Sequence, residues 1–182
     1  MKKNLDFILI GVVAGIVAVL DFIGVVGIPM GIFSVSSFYI GGAFFTVFAL
    51  WFKRDGLLAI YIGLLIGAIL SGTFTVFAFL LAWGNVLGVL VVMLGFKLPM
   101  LNFKLLKIID YIGFVVLVTV SQFISSTWTL RGFVLFGLMP LDVLKPAMFG
   151  WIVGGIIVNI VIGIPLIKFF SPVIIKAGLL KE

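Results

Sequence analysis

From Leu57 to Phe96 the chain runs 40 residues without a charged side chain. A helix crosses a bilayer core of about 30 Å with roughly 20 residues, so this run is twice what one crossing needs and must turn back on itself. The polar break Ser71-Gly72-Thr73 is the natural place for that turn. The rest of the 182 residues has the same character: 64% are hydrophobic, 10% are charged, and the mean hydropathy is +1.48. No soluble domain of this size keeps such a balance in water. The expectation is an all-α membrane protein, a single domain over 1–182, seated in the cell membrane as a multi-pass bundle.

Six transmembrane helices are predicted, at about 7–26, 32–52, 57–70, 76–96, 111–126 and 147–169. The first ends at Gly27 and Pro29 and reads as a retained span, because no small-residue cleavage site follows it. The second ends at the charged turn Lys53-Arg54-Asp55-Gly56. Lys97, Lys104 and Lys107 share one helical face over a leucine-rich opposite face, which predicts an interfacial amphipathic helix from Lys97 to Asp110. Thr127 to Pro146 is the longest connection.

An even number of spans puts both termini on one side of the membrane. That side then holds Lys2, Lys3, Lys53, Arg54, Lys97, Lys104, Lys107, Lys168, Lys176 and Lys181, and the other side holds only Arg131 and Lys145. Ten basic residues against two is a strong positive-inside bias, so both termini are expected to be cytoplasmic. The net charge of +6 is therefore read as topology, with the lipid bilayer as partner and no nucleic acid. The basic tail from Ser171 reads as an anchor at the lipid headgroups.

The absences narrow the chemistry. Histidine and cysteine are both missing, which removes imidazole and thiolate metal sites, disulfides, cysteine nucleophiles and a Ser-His-Asp arrangement. No metal and no cofactor are expected. The phosphate-cradling pattern Gly-x-x-x-x-Gly-Lys-Ser/Thr is absent, so the chain is not itself an ATP-hydrolysing motor of that type. No span repeats arginines at regular spacing, and no paired carboxylates share a helical face, so neither a voltage sensor nor an enzyme is expected.

Two residue classes remain informative. Small residues four apart let helices approach closely in lipid, and the pattern recurs at Gly11/Gly15, Ala14/Ala18, Gly63/Gly67, Gly84/Gly88 and Gly150/Gly154. Its ordinary use is packing within the bundle; its sharper use is docking of a second membrane protein along the first span. Polar and aromatic groups also gather at one predicted depth. Asp21 lies about 21 Å along the first span at 1.5 Å per residue. Trp83, Asn85, Ser121, Gln122, Ser125, Trp128, Arg131 and Trp151 fall at a similar height. Together they predict an outward-opening pocket for a small-molecule solute, with Asp21, Trp83, Asn85, Gln122, Trp128 and Arg131 as its binding residues. The alternative uses are an interfacial aromatic belt for the tryptophans and a structural ion pair between Asp21 and Arg131. Asn159, mid-span, predicts an interhelical hydrogen bond, and Pro165 a kink.

The Ala14-x-x-x-Ala18 stripe, the apolar run from Gly56 to Gly72 and the Trp83-Gly84-Asn85 motif resemble the substrate-binding S components of energy-coupling factor transporters. That resemblance implies six spans, termini inside, an outward pocket for a vitamin-like solute, and transport driven by a transmembrane coupling subunit with separate ATPase subunits. It also implies that Ala14 and Ala18 contact the coupling subunit. The absence of histidine departs from the nickel and cobalt members. The segment Gly150 to Ile167 and the Gly84-Asn85 pair also resemble multi-span membrane sensor domains of signalling proteins. That likeness implies a sensor or scaffold that recruits a signalling partner.

Overall fold

Backbone amides that leave water must bond to one another, and within one apolar segment only a helix achieves this. The computed structural model describes residues 2–26 and 38–180, and its regular structure is helical throughout. The order is α1 (Lys2–Val26), α2 (Gly41–Leu70), α3 (Ala78–Gly95), α4 (Ile108–Leu135), α5 (Leu144–Val158) and α6 (Ile164–Lys176). A 3-10 turn, Leu141–Val143, leads into α5, and a π-helical turn, Asn159–Gly163, joins α5 to α6.

Among the described residues, four helical stretches are long and apolar enough to cross a membrane: Asp6–Gly24, Ala78–Gly95, Ile108–Leu135 and Leu141–Lys176. The chain thus has the character of a multi-pass membrane protein. Large apolar side chains cover the outside, with Phe7, Ile108, Phe149 and Phe169 each more than 70% exposed. Soluble proteins do not leave so much apolar surface uncovered.

The helix α2 carries Lys53, Arg54 and Asp55 at its middle, which leaves two apolar arms, 41–52 and 56–70. At Lys53 the backbone leaves helical geometry, with φ 52° and ψ −124°. A Cβ added to Gly56 would collide with the carbonyl oxygen of Phe48, so the arms are in contact just beyond the break. Tyr39, before the first arm, bonds to Asp21, and a Cβ on Gly67, late in the second, would lie 2.7 Å from the Asp21 Cβ. In a straight helix those positions would be roughly 40 Å apart. The element is a helical hairpin, and its second arm packs on α1.

Glycine seams hold the bundle. A Cβ at Gly63 would lie 2.5 Å from the Val17 Cβ and 2.7 Å from the Ala14 carbonyl oxygen, so α1 and the second arm meet backbone to backbone. Gly88 makes the same approach to α4, where a Cβ would lie 2.8 Å from the Ser121 carbonyl oxygen. Ala14 and Ala18, expected to face a partner, are buried inside the bundle. Gly11 and Gly15, beside them on α1, have nothing within 4 Å of a Cβ and stay on the surface.

The segment from Lys97 to Asp110 is not the amphipathic helix that its lysine spacing predicts. It is a chain of turns gathered round one buried carboxylate. Asp110 accepts the backbone N–H groups of Asn102, Leu106 and Lys107 at 2.9, 2.9 and 2.8 Å. Asn102 in turn accepts the Lys104 N–H at 2.9 Å. Local carboxylate and amide acceptors compete with helical hydrogen bonding, and here they win. The predicted connection Thr127–Pro146 is shorter than expected, because α4 continues to Leu135. Asn159 does not bridge helices: its Nδ2 donates to the Gly155 carbonyl of its own helix at 2.9 Å. The distortion expected at Pro165 takes the form of the π turn just before it, since proline cannot donate to the preceding turn and its ring pushes on that carbonyl. The start of the second predicted span at 32 lies outside the described residues.

One end of the bundle gathers Lys53, Lys97, Phe103, Leu105 and Lys168. Lys53 sits over the Phe103 ring at 5.6 Å, and Lys168 donates to the Leu105 carbonyl at 3.1 Å. The other end contains the cavity.

Candidate functional site

Helix α4 is built inside out. Its buried face reads Phe114 and Val118, then Ser121, Gln122, Ser125, Ser126 and Thr129, while Ile112, Val116, Val120 and Phe123 face outward. A polar stripe turned inward with an apolar stripe turned outward is what a helix between lipid and a polar cavity requires. Ser121, Gln122, Ser125 and Thr129 of that stripe form one wall of a cavity of about 490 Å³. Asn85 and Val89 of α3 stand beside it, and Trp151 and Gly155 of α5 close that side. Across from them lie Asp21 of α1 and Tyr39, Phe45, Leu64 and Ala68 from the start and the two arms of α2. Thr73 and Thr75 come from the turn before α3, and Leu138 and Met139 from the loop after α4. Phe77 and Phe136 stack at 3.8 Å between centroids and join those two loops.

The polar groups are held from behind. Tyr39 donates its phenol to Asp21 Oδ1 at 2.6 Å. Ser125 donates to Asn85 Oδ1 at 2.9 Å, which fixes the asparagine across the α3–α4 seam. Gln122 is 7% exposed and lines the cavity, and among the described residues nothing hydrogen-bonds its amide. Its position depends on Gly155, because a Cβ there would collide with Gln122 Oε1. The α5 glycine is thus the socket in which the amide rests.

Of the six residues predicted to bind a solute, Asp21, Asn85 and Gln122 line the cavity. Trp83, Trp128 and Arg131 do not. Trp83 packs on Tyr61 at 5.1 Å on the outer surface. Trp128 donates its indole N–H to the Leu80 carbonyl at 2.8 Å and leaves its ring 46% exposed. Both rings are therefore part of the bundle's outer surface. Arg131 is exposed, and Asp21 pairs with the phenol of Tyr39 in place of the alternative ion pair. Sequence reasoning passed over Tyr39, Phe45, Thr129 and Gly155. Of these Gly155 left a trace, the Gly154-Gly155 pair in a span. Tyr39 left none, because nothing local links it to an aspartate 18 positions earlier.

Chemically, the site offers one carboxylate, two primary amides, several hydroxyls and aromatic walls. It contains no group of three or more acids that could hold a metal ion among the described residues.

No protein-family model matches the chain, and no curated protein or solved structure matches it either. The functional reading therefore rests on the cavity.

Proposed function

We propose that the chain is the solute-binding membrane subunit of an uptake transporter, energised by ATPase subunits on separate chains. On this reading it crosses the membrane six times: α1, the two arms of α2, α3, α4, and α5 continued through the π turn into α6. Both termini are cytoplasmic, as the basic census requires. The cavity then opens outward, away from Lys53, Lys97 and Lys168, and takes a small organic solute. A transmembrane coupling subunit meets α1 beside the buried Ala14 and Ala18, where Gly11 and Gly15 leave the surface smooth.

The observation that supports this reading is the inward polar stripe of α4 facing a cavity of about 490 Å³. That volume suits a vitamin-sized molecule. The Gln122 amide, held in place by a glycine on the facing helix, presents a donor and an acceptor to whatever enters that cavity.

The test is mass spectrometry of small molecules retained by the protein purified from its own membrane, wild type beside Gly155→Leu. The expected result is one solute retained by the wild type and absent from the variant, with a coupling subunit and ATPases co-purifying. Identical spectra from the two proteins would mean that the cavity is not a solute site. Binding to a lone signalling protein without solute would favour the sensor resemblance instead.

A further inference from the structure

Among the described residues, the cavity wall carries a carboxylate and no cation. Asp21 is half-buried, and the Tyr39 phenol at 2.6 Å is its hydrogen-bond partner among the described residues. Arg131 and Lys145, the two cations expected at this end, are exposed and stand outside the wall. Residues 27–37, outside the described chain, contain neither lysine nor arginine in their sequence. A phenol shares its proton with a carboxylate but does not cancel its charge. At membrane depth such a carboxylate is expensive, and an intramembrane acid that faces a cavity without a protein counter-ion is placed to serve as the counter-ion of a cationic ligand. An anionic solute would bring a like charge to Asp21 with no cation to offset it.

The far side of the cavity supplies the other half of a recognition pattern. Gln122, without a described partner, offers a donor and an acceptor. Trp151 supplies aromatic surface beside it, and Phe45 faces them from the Asp21 side, 5.5 Å from the Tyr39 ring. We propose that the solute is an organic cation, a protonated amine or an amidinium, with its positive group against Asp21 and its uncharged body against Gln122 and the aromatic wall. The inference rests on the solute-binding reading above and specifies its chemical class.

Three probes of one shape and three charges test it: benzamidine, benzamide and benzoate, each titrated calorimetrically against the full chain in lipid nanodiscs. The wild type should bind benzamidine at least about ten-fold more tightly than either of the others. Asp21→Asn should reduce that preference to within about two-fold while benzamide binding holds, and Asp21→Glu should retain it. The wild-type comparison stands even if a variant fails to fold. If benzamide or benzoate binds the wild type as tightly as benzamidine, and Gly155→Leu blocks that binding, the cationic class is wrong and the solute cavity survives. Benzamidine binding that Gly155→Leu leaves unchanged lies outside the cavity and overturns the inference. So does the absence of saturable binding by all three probes, and retained-solute mass spectrometry then decides the fate of the cavity separately.

Discussion

The indole N–H of Trp51 donates to the hydroxyl of Ser171 at 2.8 Å, joining residues 120 positions apart. Both side chains are buried, at 5% and 2% exposure. The bond fastens the first arm of α2 to α6. Ser171→Ala would leave the indole donor buried without a partner, at a cost of about 1 kcal/mol. Thermal unfolding in detergent should show a lower Tm for Ser171→Ala. A double-mutant cycle with Trp51→Phe should show coupling, because the second change removes the stranded donor.

Glycines on the two edges of α1's contact surface should respond in opposite ways. Gly63→Ala places a Cβ 2.5 Å from the Val17 Cβ and 2.7 Å from the Ala14 carbonyl, and neither a β-branched side chain nor a backbone can give way cheaply. The expected loss is about 1–3 kcal/mol. Gly11→Ala and Gly15→Ala meet nothing within 4 Å, so they should be neutral or stabilising by up to about 1 kcal/mol through helix propensity. Unfolding midpoints of the three variants side by side check the contrast. A stable Gly63→Ala protein would mean that α1 does not lie against the second arm.

Lys53 occupies φ 52°, ψ −124°, a conformation that strains a side chain and suits glycine. Burial first, and the Lys97 ammonium second, hold its amine below the ordinary lysine range. Lys53→Gly should relieve the strain and raise stability by up to about 1 kcal/mol net of the added freedom of the unfolded chain. A lowered folded pKa means that the unfolded state binds the proton more readily. The wild type therefore carries a penalty at neutral pH that fades as pH rises towards 10.5, the ordinary lysine value. The stability gap between variant and wild type should narrow over that alkaline window. Denaturation at neutral and alkaline pH measures it.

Asp110 gathers three backbone N–H groups from the loop before α4. Asp110→Ala should release that loop, at a cost of about 3 kcal/mol. Limited trypsin digestion should cut at Lys104 and Lys107 faster than in the wild type. Asp110→Asn, which retains one acceptor oxygen, should fall between the two. Unchanged cleavage in Asp110→Ala would show that the carboxylate does not organise the loop.

Much of the fold was legible from one dimension. The 40 uncharged residues of 57–96 turn back after Ser71 as their length demands, and the charges at 53–55 mark the tip of the α2 hairpin. The Gly63/Gly67 and Gly84/Gly88 pairs pack as small-residue seams. The loop of 97–110 was misread because three lysines on one face imitate amphipathicity. A helical pattern takes no account of a carboxylate at 110 that can bond three amides at once. The fifth predicted span ends at 126, whereas α4 continues to Leu135; Gln122 and Ser125, expected near the outer end of that span, line the cavity from mid-helix.

The sequence by itself determined that this chain is helical and apolar, and that one acid, Asp21, lies inside a predicted span. Those properties follow from the requirement that backbone amides in lipid be satisfied within their own segment, which local composition decides. Tertiary structure alone decided what Asp21 meets, namely the phenol of Tyr39 and the open edge of Gly67, and which of the polar side chains at its height share its cavity. Trp128 and Gln122 are six positions apart on α4, yet one lies on the outer surface and the other lines the cavity. Depth along a helix can be counted from sequence. The direction a side chain faces depends on how the neighbouring helices pack, and the small-residue seams that set this packing recur too often in the sequence to specify a single arrangement.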